Sequence, residues 1–393
     1  MLAVAIALTV TSLALYVVMM VLFARAVLRR RASATRKGAW QPRVSVLKPL
    51  AGTDDDLEEN LESFARQDYP AFEIILGVAD RDDVSVATAQ RFAANHPEID
   101  VRFVLTDPDA ALNPKVAQLV GLEPHATGDV FVMSDSNVRA GPGYLWSMVN
   151  ALQDPRVGIV SSLFSGAGER SLGAALENLQ ICACTAPGLA AMGAATGRAF
   201  IVGKSMGVRR RDLDRLGGFA IVADVLAEDH VLGRRFLAAG YKTGLAHEII
   251  ENRNVVCSVR HTMARHTRWA KTRRSLMPAA FPVEPLMTPM VVATLGVLLS
   301  PCALTVGILG AVVVAQTVAA LLAVRLLRRT PLAWYYAPLE IVRSYFSLVC
   351  WARACLSHRT VWRGHAFVVQ RGSAIVPVNA ASQGATSRAR LAA

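Results

Sequence analysis

The sequence predicts an α/β domain built on a mostly parallel sheet, held between an N-terminal membrane helix and a C-terminal membrane region. Three observations lead there. Short apolar runs, two of them ending on aspartate, alternate with amphipathic stretches between Val44 and Asp135. Apolar residues make up 53% of the chain and charged residues only 18%, a balance skewed towards membrane proteins. The excess is concentrated in residues 1–24 and 286–356, leaving a middle of ordinary globular composition.

Leu2 to Ala24 carries no charge, and as a helix its 23 residues reach about 34 Å, enough to cross a bilayer. A cleaved signal peptide carries its positive charge ahead of the apolar run, whereas Arg25, Arg29, Arg30, Arg31, Arg36 and Lys37 follow it. The run is therefore an anchor, with residue 25 onward on the cytoplasmic side. Val44 to Leu47 reads as a buried strand. From Asp54 to Arg66, Leu57, Leu61 and Phe64 fall on one helical face, and acidic residues in the first turn complement the helix dipole. Further strands are expected at Phe72–Ala79, Val101–Leu105 and Asp129–Asp135, with a helix through Ala87 and Phe92. Alternating strands and helices imply a mostly parallel sheet covered on both faces, with ligands bound beyond the carboxyl ends of the strands. Asp80 and Asp135 fall at such ends.

Val157 to Leu163 is a further strand candidate. Leu172 to Ala195, rich in Ala, Gly and Leu, reads as a core helix pair interrupted at Pro187, or as an amphipathic segment lying against the bilayer. Gly197 to Ser205 ends in Gly-Lys-Ser, but its glycines are separated by five residues instead of four and follow no first strand, so no P-loop is assigned. Leu286 to Val324 is uncharged over 39 residues, about twice one span, and predicts two helices turning near Pro301 or Gly307. Leu332 to Leu356 contains Glu340, Arg343 and Arg353. If it spanned, the basic residues Arg359 and Arg363 would lie outside, so it is expected to be interfacial or re-entrant. The segment from Ala381 has the composition of a disordered tail.

The net charge of +12 belongs largely to the flanks of apolar runs, where it suits anionic membrane lipid. No basic patch on a recognition fold accompanies it, so nucleic acid is not an expected partner. Six cysteines without a Cys-x-x-Cys pair exclude a zinc site or disulfide framework as the organising feature.

The stretch from Ala227 to Trp269 carries the chemistry. Asp229 is the candidate general base, able to take a proton from an attacking alcohol. Arg265 and Arg268 are placed to offset charge on a departing diphosphate, and Trp269 to stack on a sugar or wall the site. Asp135-Ser136-Asn137, at a strand end, offers oxygens to a divalent cation bridging to substrate phosphates.

These pieces together resemble the ceramide glucosyltransferases, family 21 glycosyltransferases related to family 2. The family's three aspartates and (Gln/Arg)-x-x-Arg-Trp motif match Asp80, Asp135, Asp229 and Arg265-His266-Thr267-Arg268-Trp269. Leu47-Lys48-Pro49-Leu50, Asp68-Tyr69-Pro70, Asn113-Pro114-Lys115, Ala227-Glu228-Asp229 and Trp362-Arg363-Gly364 extend the match over roughly residues 40–372. The resemblance implies a GT-A-type, Rossmann-like nucleotide-sugar-binding domain and transfer of a sugar from a UDP-sugar, usually UDP-glucose, to the primary hydroxyl of ceramide with inversion. It implies that Lys48, Asp80, Lys115 and Asp135 bind the nucleotide-sugar and that Asp229, Arg265, Arg268 and Trp269 are catalytic. A divalent cation, Mg or Mn, is implied at Asp135 and Asn137, although many relatives carry a second acid where Asn137 stands. Asn137 and Asn113-Pro114-Lys115 favour ceramide over a hopanoid or other membrane lipid. A non-catalytic membrane scaffold of polysaccharide export is the reading from another class, which has no need of the base.

The expected organisation is an anchor over 1–25, a cytoplasmic catalytic domain over 40–280, a membrane region over 284–357 and a basic cytoplasmic tail over 358–393. This is a multi-pass protein of a bacterial inner membrane or its equivalent. The sugar and the oligomeric state are left open.

Overall fold

A computed structural model describes residues 1–32, 37–52, 54–328, 330, 337–362 and 364–378. Helix α1 (Leu2–Ala32) is followed by β1 (Val44–Pro49), α2 (Leu57–Ala65), β2 (Phe72–Val78), α3 (Ser85–Asn95), β3 (Asp100–Leu105), α4 (Pro114–Leu122) and β4 (Val130–Ser134). The expected alternation holds here, because fully buried Val, Ile and Leu runs such as those of β1, β2 and β4 bury both faces. Then come β5 (Val138–Arg139), α5 (Tyr144–Leu152), β6 (Val157–Ser161), β7 (Phe164–Ala167), α6 (Leu172–Gln180), α7 (Ala186–Thr196), β8 (Ser205–Arg209), α8 (Arg210–Leu216), α9 (Glu228–Ala238), β9 (Lys242–Leu245) and β10 (Ile250–Arg253).

The main sheet has the order β3-β2-β1-β4-β8-β6-β9. Strands β3, β2, β1 and β4 are parallel, but β8 runs antiparallel to both β4 and β6. The sheet is thus mixed at the β8 position, and the reversal brings the start of β8 to the carboxyl end of β4. Apolar clusters line its two faces. One gathers Val46, Ile74, Val132, Leu61 and Phe64, and includes Phe23 and Val27 from the last turns of α1. The other gathers Leu47, Ile75, Phe131, Leu119 and Phe236. Burying Phe23 and Val27 contributes about 1.5–3 kcal/mol each, which fixes the apolar helix to the sheet domain.

Leu172–Thr196 is not a pair broken at Pro187. It is one helical run in which α6 passes into α7 through a π turn at Ile181–Thr185. The π turn just before Pro187 accommodates its missing N–H within the run. Among the described residues three helical segments, Leu2–Arg30, Leu172–Thr196 and Ala303–Leu327, are long and apolar enough to cross a membrane.

The chain continues through α10 (Val259–Leu276), α11 (Pro289–Leu299), α12 (Ala303–Leu327) and α13 (Leu339–Leu356). The α11–α12 turn falls at Ser300-Pro301-Cys302, one of the two places expected. The first arm differs from expectation. With 11 residues α11 reaches only about 16 Å, and it is preceded by the 3-10 segment Phe281–Met287 at a bend of 87°. Pro282, Pro285 and Pro289 explain the break. In α13 two of the three charges that interrupt the apolar pattern are buried and paired, Arg343 Nη2 with Glu340 Oε1 at 2.6 Å, and Gln316 Nε2 of α12 donates to the same oxygen at 2.8 Å, while Arg353 is exposed.

Residues 359–362 and 364–377 are a folded unit where a basic tail was expected. Strands β11 (Arg359–Trp362), β12 (His365–Val369) and β13 (Ile375–Pro377) form an antiparallel sheet. Phe367, Val369 and Ile375 bury against Leu226, immediately before the acidic pair. The expectation for the tail from Ala381 lies outside the described residues, as does Arg363.

Candidate active site

The site grows from the register of β1, β4 and β8. Asp135 follows β4 directly, and its backbone N–H donates to the Lys204 carbonyl at 3.3 Å, continuing the antiparallel ladder by one pair beyond Ser134 and Ser205. From the other side comes α4. Asn113 caps it, accepting from the backbone N–H groups of Lys115 and Val116 at 3.0 and 3.3 Å, and Pro114 occupies the first helical turn. Asn113 also donates to the Val225 carbonyl at 2.8 Å, tying α4 to the loop that leads into α9.

Lys115 is consequently the hub. Its ammonium lies 2.8 Å from Asp135 Oδ1 and 3.0 Å from Glu228 Oε1, and donates to the Gly203 carbonyl at 2.7 Å. The residue is only 8% exposed. Burial opposes its charge, but Asp135 and Glu228 outweigh that and hold the ammonium firmly protonated. Asp135 is half-buried, yet Lys115 and Lys204 keep its carboxyl well below the usual carboxylate range.

Asp229 stands in the first turn of α9. Its Oδ2 accepts from the Gly203 N–H and its Oδ1 from the His230 N–H, each at 2.6 Å. Burial pushes its carboxyl above the ordinary range, against the opposing pull of Lys115 and of these two N–H groups. Glu228 is shifted in the same direction, chiefly by burial. The pair differs in partners: Glu228 points at the lysine, Asp229 at backbone donors.

Gly203 joins both. A Cβ there would lie 2.9 Å from Glu228 Oε1, 2.9 Å from Lys115 Nζ and 3.2 Å from Asp229 Oδ2. Gly203→Ala is expected to push the acids off the lysine and lower activity by about 10²-fold or more, the effect of an ångström-scale misplacement. Initial rates of the variant and the wild type check this, and wild-type turnover in the variant would contradict it.

Helix α10, capped by Ser258, presents Arg265, Arg268 and Trp269 at i, i+3 and i+4, hence on one side. Arg265 Nη1 lies 3.2 Å from buried Glu177 Oε1 of α6 and donates to Asn254 Oδ1 at 3.1 Å, while its Nη2 lies 3.0 Å from His261 Nε2. The guanidinium of Arg268 sits over the Trp362 ring of β11 at 5.7 Å. Trp269 packs against the edge of the His266 ring, with centroids 4.8 Å apart. The small C-terminal sheet therefore contacts both α10 and the residues that lead into α9. Its Ser373 accepts from Leu226 N–H through its carbonyl and from Ala227 N–H through its hydroxyl, at 2.8 and 2.9 Å.

The remaining residues fall differently. Lys48 lies beneath the site: fully buried, its ammonium donates to the Asp135 carbonyl at 3.0 Å and sits over the Phe64 ring. Burial pushes it down to about 7. It supports the Asp135 turn from below and does not line the opening. Asp80 is exposed two residues beyond β2, with Oδ1 accepting from the Asp82 N–H at 3.0 Å, and is not part of the bonded cluster.

Asp135 Oδ2 and Asn137 Oδ1 each lie 3.1 Å from Lys204 Nζ. Two protein oxygens thus converge on one cation position, and that donor set would suit a hard divalent ion. No group of three or more His, Cys, Asp or Glu among the described residues forms a site independent of substrate. Sequence reasoning missed Gly203, Lys204 and Glu177 as contributors. Only the first two had a signal, the Gly-Lys-Ser rejected as a P-loop.

The family model for glycosyl transferase family 21 matches residues 4–375. Ceramide glucosyltransferase 3 of Caenorhabditis elegans is 26% identical over 257 residues, covering 62% of this chain and 53% of that protein. The chain thus aligns with about half the length of that relative. A ceramide glucosyltransferase of Komagataella phaffii is 35% identical over 113 residues, or 28% of this chain and 22% of the relative. Among solved structures, a mannosyltransferase from Pyrobaculum calidifontis in complex with GDP-Man and Mn²⁺ superposes with a TM-score of 0.51 at 20% identity, covering 89% of this chain and 97% of that one. That likeness shows a GT-A fold. With a match that takes in the apolar N-terminal helix, the acidic cluster and the C-terminal sheet alike, the chain belongs to glycosyl transferase family 21.

Proposed function

We propose that this protein is a membrane-bound inverting glycosyltransferase that moves a sugar, glucose from UDP-glucose in the first instance, onto the primary hydroxyl of ceramide. The observation that carries the reading is Asp229, a carboxylate of raised pKa held by two backbone N–H groups beside the Lys115 cluster. The ceramide glucosyltransferase relatives support the acceptor.

The hydroxyl proton passes to an Asp229 oxygen as the acceptor oxygen bonds to the anomeric carbon. The bond from that carbon to the diphosphate breaks, and UDP leaves. Developing negative charge is met by Arg265 and Arg268, whose planar guanidinium groups suit phosphate. Trp269 walls the sugar, and Asp80 reaches the nucleotide from the open end of β2. With Lys204 displaced, Asp135 and Asn137 would hold a divalent cation, which would supply charge neutralisation for the diphosphate. The acceptor reaches the site from the lipid phase, since α10 runs through the bent segment at Phe281–Met287 into apolar α11. Basic residues in the last turns of α1, Arg25, Arg29 and Arg30 among them, support a cytoplasmic position for the sheet domain.

The test is to give the purified full chain in lipid nanodiscs ceramide and a panel of UDP-sugars, and to read the lipids by mass spectrometry. A hexosylceramide made from UDP-glucose is expected. Transfer to a hopanoid or glycerolipid in preference to ceramide would overturn the acceptor, and absence of any lipid product would overturn the enzyme reading.

A further inference from the structure

The two oxygens that converge on a cation position are met there by a side chain of the protein itself. Lys204 Nζ is 3.1 Å from Asp135 Oδ2 and 3.1 Å from Asn137 Oδ1. We propose that Lys204 is a built-in counter-cation, occupying the position between Asp135 and Asn137 in competition with a divalent ion and supplying positive charge to the donor diphosphate. The diphosphate clause rests on the nucleotide-sugar reading above; the competition with metal does not.

The placement is imposed by the backbone and is not the wandering of a long surface arm. Lys204 opposes Asp135 in the antiparallel β4–β8 ladder, one step beyond the Ser134–Ser205 pair, and its carbonyl accepts from the Asp135 N–H. Directly opposed residues project to the same face of a sheet, and a slip of one residue would reverse every side chain of β8, including buried Met206 and Val208. The preceding residue is pinned as well, with Gly203 N–H on Asp229 and its carbonyl on Lys115. The lysine side chain is 17% exposed and that of Asp135 24%, so the contact is only partly screened by water while remaining reachable by a ligand.

Charge explains the competition. Asp135, Glu228 and Asp229 face two ammonium groups, Lys115 and Lys204, and Lys115 already holds Asp135 Oδ1. An ammonium and a divalent ion cannot share the space between Asp135 Oδ2 and Asn137 Oδ1, because their repulsion at contact distance is far stronger than in bulk water. Removing the lysine leaves two oxygens aimed at an empty cation position beside an acidic cluster, and a hard ion is the natural occupant.

Mn²⁺ alone is titrated into full-length protein in nanodiscs, with free ion read by electron paramagnetic resonance, for wild type, Lys204→Met and Lys204→Gln. Both neutral variants are expected to bind Mn²⁺ about tenfold or more tightly than wild type. Lys204→Arg is expected to bind like wild type, and adding Asp135→Asn to Lys204→Met should abolish the gain, which locates the ion. Equal Mn²⁺ affinity in wild type and both neutral variants would overturn the proposal. In a second arm, UDP affinity of wild type should change less than about twofold on chelation, while Lys204→Met should lose about tenfold and recover it with Mn²⁺. A wild-type UDP affinity that collapses on chelation would overturn the proposal. Failure of UDP to bind any form would instead overturn the nucleotide-sugar reading, with the Mn²⁺ arm still deciding the competition.

Discussion

Asp229→Asn is expected to lower the transfer rate by about 10²–10⁴-fold, the range general-base help supplies, which corresponds to roughly 3–5 kcal/mol of barrier. UDP binding should change less than about threefold, since the loss belongs to the transition state. The side chain keeps one acceptor oxygen for the Gly203 or His230 N–H but turns an amide N–H₂ towards the other. A stability cost of about 1–3 kcal/mol therefore accompanies the change, and thermal unfolding separates it from the catalytic effect. The pH profile follows from the same residue. The base works only when ionised, and burial raises its pKa, so kcat/KM should fall on the acid side at a pH above the usual aspartate value of about 3.9. Near-wild-type turnover in Asp229→Asn would remove Asp229 from the base role.

The second large effect is on the hub. Lys115→Met leaves Asp135 Oδ1, Glu228 Oε1 and the Gly203 carbonyl without their shared donor. Breaking a buried ion pair from one side costs about 3–5 kcal/mol, because uncompensated charge stays behind. The unfolding midpoint should drop and transfer should be lost. Adding Glu228→Gln to Lys115→Met should recover about 1–2 kcal/mol, as contacting residues do not contribute independently. A double variant no more stable than the single would show that Glu228 and Lys115 are not coupled.

Both outcomes hinge on contacts that were legible to different degrees. The β4 strand ending at Asp135 was readable because a buried parallel strand is a continuous apolar run, and its acid falls where the run stops. Asp229 was readable as half of an acidic pair. Lys115 entered only through a motif: nothing local shows that its ammonium reaches Gly203, 88 positions away. The same holds for Glu177, which meets Arg265 from another helix. Such pairings are set by the fold and have no period in the sequence. Lys204 was hidden because β8, the five residues Ser205–Arg209, was not read as a strand at all, and its pairing with β4 has no local signal. The C-terminal sheet was hidden by its brevity: strands of four, five and three residues, two of them carrying Arg359 and His365, read as a basic tail. The short α11 was masked because a proline-bent entry has the same uncharged composition as a full span.

Direct displacement by a hydroxyl activated at Asp229 leaves a stereochemical record, which NMR of the isolated glycolipid reads. With UDP-glucose, whose anomeric bond is α, and ceramide as acceptor, the expected product carries a β-linked glucose with a large coupling between the anomeric proton and its neighbour. An α-linked product would contradict a single displacement driven by Asp229.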